Sequence, residues 1–219
     1  AMDPEGYVFI SVGFKTFEGV QNLASPHGKI HRLHDDGRVP ADNPFAGRDD
    51  ALPTIWSYGH RSPQGLEFNP KTRELWGTEH GPRGGDEINL VLRGRNYGWP
   101  VISYGKEYWG PKAVGEGTHR KGMEQPVKQY TPSIAPGSLL LYSGKAFPAW
   151  KGNLLAGALK LRHLNRVTLN EKGNAIAEER LLTDLNERIR ALTESPQGWI
   201  WFSTDSGKIY VMKPANSGS

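Results

Sequence analysis

The stretch TEHGPRGGDEINLVLRGRNYGWP, from Thr78 to Pro100, gathers a Gly-Pro turn, a Gly-Gly pair, two adjacent carboxylates and an Asn-Tyr-Gly-Trp-Pro turn into 23 residues. Ordinary strand-and-turn sequence does not need that combination, whereas a metal or cofactor cradle does. A hard cation such as Ca²⁺ takes about six to eight oxygens in flexible geometry, and one carboxylate plus several turn carbonyls is a usual way to supply them. Asp86 and Glu87 are adjacent, so on a strand they face opposite sides and cannot chelate one ion as a pair. Carbonyls of the Gly81-Pro82 and Gly84-Gly85 turns would have to complete the shell. The competing reading is that both carboxylates are solvated, as most carboxylates are, and that the glycines only permit tight turns.

Three further segments carry charge in suggestive places. In SYGHRSPQG (57–65), Pro63 forces an extended residue before it. Arg61 can then present its rigid bidentate fork to a carboxylate. Alternatively, His60 and Arg61 pack on Trp or Tyr and bond main-chain carbonyls. Lys160 closes the apolar run LLAGALK, and in ERIR (187–190) Arg188 and Arg190 share a face if the segment is extended. Such cations could converge on a polyanion, although strand ends at a surface normally carry charge too. The seven histidines form no HExxH. His31 and His34 are three apart and point to opposite faces of a strand, which argues against zinc. GxSxG, Walker A and GxGxxG motifs are absent, so serine-hydrolase and common nucleotide chemistries lack support.

The elements that must hold these residues are strands. The 219-residue chain is 37 % hydrophobic and contains 27 Gly, 16 Pro and 7 Trp, a composition suited to a turn-rich all-β protein. Four segments share one grammar of turn, apolar strand, loop and second strand: DPEGYVFISVG (3–13), NPKTRELWGTEHG (69–81), FPAWKGNLLAGAL (147–159) and SPQGWIWFSTDSG (195–207). Each is followed by a strand-like partner. Tyr7, Phe9, Trp199, Trp201, Ile209 and Val211 show the period-2 alternation of half-buried strands. Spacings of roughly 45–80 residues with four strands per unit match propeller blades. Ala177–Arg190 has helix-compatible composition, but its Thr-Asp-Leu-Asn interruption favours an extended path. The chain opens at a strand–turn–strand junction around Asp3-Pro4-Glu5-Gly6, which suggests part of a larger propeller, and residues 215–219 read as a tail after a domain covering 1–214. Cysteine is absent, which excludes disulfides and thiolate metal sites. The net charge of +4 comes from scattered basic residues, against nucleic-acid binding. No window approaches 18 apolar residues, so no helical membrane span is expected.

Read together, these strings resemble the PQQ-dependent soluble aldose sugar dehydrogenases of the glucose/sorbosone dehydrogenase family, six-bladed β-propellers. The matching strings are GKIHRL…VPADNPF, IWSYGHRSPQGLEF, TEHGPRGGDEINL, NYGWPVISYG, GMEQP, PSIAP, GNLLAGALK and EERLL…ERIR, in family order over nearly the whole chain. The resemblance implies about four blades here, with the first two lacking. It implies quinone contacts at Arg61, Ser62 and Tyr108, at Leu159-Lys160-Leu161 and at Arg188-Ile189-Arg190. It also implies a structural Ca²⁺ site at Glu87 and Tyr97, and a second at the Gly81 and Pro82 carbonyls. The expected activity is oxidation of aldose sugars at C1 to lactones, with electrons passed to an external quinone, cytochrome or dye, in the periplasm or outside the cell.

This chain departs from the family pattern in places. Ser62 stands where Asn is usual, PSIAPGSL replaces the more usual Ala-Pro-Ser-Gly order, and the loop after Val12-Gly13 looks shortened. None of the seven histidines matches the family's general base, so this chain alone is expected to be inactive or very weak. A non-catalytic propeller module that binds glycan or protein is the main alternative. A calcium-dependent lactonase-type hydrolase ranks last, because the chain offers Arg and Lys where converging Asn, Asp and Glu would be needed.

Overall fold

Turn chemistry and period-2 patterning cut this chain into short antiparallel strands. The computed structural model describes residues 1–14 and 19–215. Residues 15–18, in the loop that reads as shortened, and 216–219 of the tail lie outside the described set. Strands form four sheets, and each neighbouring pair is antiparallel. The chain divides into two compact units, residues 1–133 and 134–219.

The first unit holds the sheet β1-β2-β3 (Tyr7–Val12, Lys29–His34, Ile55–Tyr58) and the sheet β4-β5-β6-β7 (Pro63–Asn69, Glu74–Glu79, Asp86–Leu90, Lys128–Tyr130). Phe9, Ile30, Leu75 and Val91 form its core, with Tyr7, Trp56, Leu66 and Phe68 packed against them. Phe9 meets the Trp56 ring edge-on at 5.4 Å and stacks on Phe68 at 5.9 Å, geometries that add to plain area burial. The second unit holds β8 (Pro136–Leu141), β9 (Leu154–Ala158), β10 (His163–Leu169) and β11 (Ala175–Leu181) in one sheet, and β12 (Ile189–Glu194), β13 (Ile200–Thr204) and β14 (Ile209–Met212) in the other. Leu140, Tyr142, Leu155, Leu164, Ile189, Ile200 and Phe202 make its core.

The four-fold repeat falls at one place in three of the four sheets. The repeat segments supply β1, β5, β9 and β13, and their partners supply β2, β6, β10 and β14. β5, β9 and β13 are each the second strand of their sheet; ahead of β1, Met2 makes an isolated bridge to Val8 across the Pro4-Glu5 turn. Residues 177–190 hold no α-helix: the strands β11 and β12 are joined through one 3-10 turn at Thr183–Leu185, flanked by Leu182 and Asn186 in the left-handed region. One expectation shifts. The alternation on β13 and β14 is present, but its core-facing phase is Ile200 and Phe202 with Tyr210 and Met212. Trp201, Ile209 and Val211 stand on the open side at 37 %, 72 % and 36 % exposure. Aromatic character suggested burial, and packing chose the other phase. Among the described residues no helix is long and apolar enough to cross a membrane.

Candidate functional site

The Thr78–Pro100 run forms the end of β5, a tight turn, β6 and a long excursion toward β7, which brings its polar residues onto one end of the sheet. Gly81 lies where a Cβ would collide with the carbonyl oxygens of Gly84 and Gly85, so this turn admits glycine alone. Asp86 fixes the turn: its Oδ1 accepts the Gly81 amide at 2.9 Å and the Ser133 hydroxyl at 2.8 Å. Asp86 is therefore buried and structural, not solvated. The Asn-Tyr-Gly-Trp-Pro turn is pinned to the end of β3, with Tyr97 N–H donating to Tyr58 O (2.8 Å) and Trp99 N–H to Gly59 O (2.9 Å).

Between these two turns is a cavity of about 20 Å³, bordered by Arg61, Glu79, His80, Gly81, Glu87, Tyr97 and Trp99 among others. That is room for about one water or one ion. Glu79 and Glu87 are cross-strand partners in β5 and β6 and both reach it. Burial, then the neighbouring Glu79 charge, pushes the Glu87 carboxyl up to about 8, against a weaker opposing hydrogen bond from Asn89 Nδ2 at 3.1 Å. Two carboxylates facing one small void fit a hard cation, whose charge would offset both costs. Among the described residues no three His, Asp or Glu side chains converge as a metal site. A cation here must therefore draw on carbonyls as well. Tyr97 contributes its ring, which stacks on His60 at 4.6 Å. Its hydroxyl points elsewhere, donating to Leu90 O and accepting from Leu92 N–H.

Arg61 is buried, at 4 % exposure. Its Nη1 donates to His80 O and Gly81 O, both at 2.9 Å, and its Nη2 to the Tyr108 hydroxyl at 3.0 Å. The guanidinium also lies 5.3 Å from the Trp99 ring centroid. Its Nε is buried without a partner. So the arrangement of Arg61 on carbonyls and aromatics is realised, and the Gly81 carbonyl expected to face a cation is held by Arg61. Ser62 is buried, and its hydroxyl accepts from Gln64 Nε2 at 3.1 Å. Tyr108 is 59 % exposed beside Arg61.

In the second unit, Leu159 is buried and its carbonyl accepts from Arg188 Nη1 at 2.9 Å. Lys160 is exposed, its amide bonded to Ile134 O at 3.0 Å. Ile189 is a core residue. Arg188 and Arg190 do share a face, and both bind Asp205, at 2.7 Å and 2.8 Å. Their guanidinium groups, Arg190 first, hold the Asp205 carboxyl at about 2. Two cations on one anion leave a net positive site. Sequence reasoning missed Asp205, which reads only as a turn residue in TDSG. It also missed Glu79, whose signal was its place opposite Glu87 across an Asp/Glu-bearing hairpin.

The sheet architecture defines an all-β protein, and the sequence match is specific. The glucose/sorbosone dehydrogenase family profile covers residues 1–211, and the chain belongs to that family. It is 41 % identical to the aldose sugar dehydrogenase YliI of Escherichia coli K12 over 98 % of this chain and 58 % of that protein. It is 30 % identical to the quinoprotein glucose dehydrogenase B of Acinetobacter calcoaceticus over 78 % of this chain and 46 % of that one. A crystal structure of a glucose dehydrogenase superimposes with a TM-score of 0.92 at 41 % identity, covering 99 % of this chain and 63 % of the other. The chain thus spans about half the length of the curated relatives it matches.

Proposed function

We propose that this chain carries quinone- and cation-binding parts of a PQQ- and calcium-dependent aldose sugar dehydrogenase, which oxidises the sugar C1 hydroxyl to a lactone and passes electrons to an external acceptor. Its four sheets would be blades of a propeller of the six-bladed type, in a periplasmic or secreted protein. The observation that carries the reading is the buried Arg61 guanidinium beside the Glu79–Glu87 cavity, within strings that follow the family's order. The chemistry the quinone would supply when bound is acceptance of the hydride, carrying both electrons, that leaves C1. This chain's residues bind and orient. Arg61 offers a carboxylate of the tricarboxylate cofactor a desolvated cation, strengthened by the absence of competing water. Arg188 and Arg190, sharing Asp205, offer net positive charge. Ser62 and Tyr108 offer hydroxyls, Leu159, Leu161 and Ile189 walls and main chain, and Lys160 a further cation. Glu87 and the main chain near Tyr97 would hold one Ca²⁺, and the Gly81 and Pro82 carbonyls a second, Gly81 O through the lone pair that Arg61 leaves free. None of the seven histidines is assigned the general base, so sugar turnover by this chain is expected to be absent or very weak while cofactor binding persists.

The test is reconstitution with PQQ and Ca²⁺, followed by the absorbance of the protein-bound quinone, with glucose and a dye acceptor added last. Saturable binding that weakens about tenfold or more in Arg61→Ala is expected, the loss of one charge-assisted contact. Binding indifferent to Arg61→Ala and to Ca²⁺ would refute the assignment. Robust dye reduction would refute the absent base.

A further inference from the structure

Arg61 and Ser62 lie in the link between β3 and β4, where the backbone has no ladder to hold it. Phe14 N–H donates to Arg61 O at 2.6 Å, and three buried side chains hold the rest. Glu79 Oε1 accepts the Arg61 amide and, at 3.3 Å, the Ser62 amide. Glu79 Oε2 meets His60 Nδ1 at 3.0 Å, and His60 Nε2 meets Ser57 Oγ at 2.9 Å. Ser57, His60 and Glu79 are 0 %, 1 % and 6 % exposed. With Nδ1–H donated to the carboxylate, Nε2 is the acceptor for the Ser57 hydroxyl, and every polar atom of the chain has a use.

A Ser–His–carboxylate chain invites a nucleophilic reading, but Ser57 is sealed from any substrate, so this one can only fix geometry. What it fixes is narrow. Glu79 holds the Arg61 main chain, and the next two carbonyls along, His80 O and Gly81 O, hold the Arg61 guanidinium. One three-residue strand end thus grips both ends of one arginine. His80 N–H returns a bond to Ser62 O at 3.0 Å, closing the loop.

We propose that Glu79 and His60 are positioning residues that lock the Arg61–Ser62 backbone and thereby aim Arg61 and Ser62 at the ligand. The ligand part of this inference rests on the cofactor assignment above. The choice of residue follows from donor counting. A carboxylate accepts all three N–H groups, whereas alanine at the same place accepts none and strands both amides; glutamine would keep them, its oxygen on the amides and its NH₂ on the other His60 tautomer.

The test starts on the cofactor-free protein, by amide hydrogen exchange. In Glu79→Ala, the Arg61 and Ser62 amides are expected to exchange about tenfold faster or more, the signature of a lost buried hydrogen bond, with the sheet β8–β11 unchanged. Ser57→Ala keeps the carboxylate and is the milder variant should Glu79→Ala fail to fold; it is expected to give a smaller change of the same sign. PQQ with Ca²⁺ is then titrated, and a weakening of about tenfold is expected in Glu79→Ala. Unchanged exchange at both amides overturns the proposal. Faster exchange with unchanged PQQ affinity also overturns it, provided Arg61→Ala does weaken PQQ. If Arg61→Ala leaves affinity unchanged as well, the cofactor assignment is what fails, and faster exchange still upholds the locking role.

Discussion

Replacing Glu87 by glutamine should abolish a pH dependence of stability that the wild-type chain shows in the absence of calcium. The Glu87 carboxyl is pushed up to about 8 from its ordinary 4.5, by burial first and by the Glu79 charge second. Above pH 4.5 an unfolded chain releases this proton, while the folded chain keeps it up to about 8. Folded protein therefore binds more protons in that window, and stability falls as pH rises through it. The full shift, at roughly 1.4 kcal/mol per unit, sets an upper limit of about 5 kcal/mol between pH 4.5 and 8. Sharing of charge with Glu79 lowers the realised value, and about half of it is a fair expectation. For a protein of this size that corresponds to a fall of roughly 5–10 °C in melting temperature. The assay is thermal unfolding by circular dichroism from pH 5 to 8.5 in EDTA, for wild type and Glu87→Gln. The difference between the two should grow with pH in favour of the variant. Millimolar Ca²⁺ should shrink it by stabilising the wild type alone, since a ligand that binds only the folded state stabilises it. A pH-independent difference, or equal stabilisation of both proteins by Ca²⁺, would refute the reasoning.

Other consequences are as direct. Lys29 is fully buried, with its ammonium donating to Val20 O and His27 O, both at 2.7 Å, and burial pulls its pKa down to about 8. Between pH 8 and 10.5 the unfolded chain binds the extra proton, so wild type should gain stability relative to Lys29→Met as pH rises through that window, measured by urea unfolding. Asp205 should titrate by NMR with a midpoint of about 2, and Arg190→Ala should move that midpoint toward 3.8, because Arg190 is the largest cause of the shift. Its stabilising contribution is complete above 3.8 and fades as pH falls through the folded value. Gly59→Ala should destabilise by about 2–4 kcal/mol in chemical denaturation, since the residue has φ of +81° and a Cβ there collides with Asn96 Oδ1 and lies 2.6 Å from Gly98 N.

Strands and their order were legible because turn residues and alternation are local properties. The repeat grammar located β1/β2, β5/β6, β9/β10 and β13/β14 from four segments, and the Thr-Asp-Leu-Asn break correctly kept 177–190 out of an α-helix. What alternation could not give was its phase. Trp201 and Phe202 are both aromatic, and only the neighbouring sheet decides that Phe202 enters the core. The cradle was legible as a cradle, because Gly81 and Asp86 are needed by the turn itself. Its electrostatics were not. Solvation was the better reading for a lone Glu87, and the raised carboxyl depends on burial first and then on Glu79, eight residues away but opposite in register. Asp205 escaped for a similar reason: nothing in TDSG announces that two arginines 15 and 17 residues earlier fold onto it. Residue types betray chemistry, whereas partners across a ladder require the register.

The most direct measurement is a crystal structure of this chain grown with PQQ and CaCl₂. The expected result is quinone density with a carboxylate on the Arg61 guanidinium, and a calcium ion, identified by its anomalous signal, among oxygens that include a Glu87 carboxylate oxygen. Density for PQQ away from Arg61, or a Glu87 cavity that holds only water at millimolar calcium, would contradict the account.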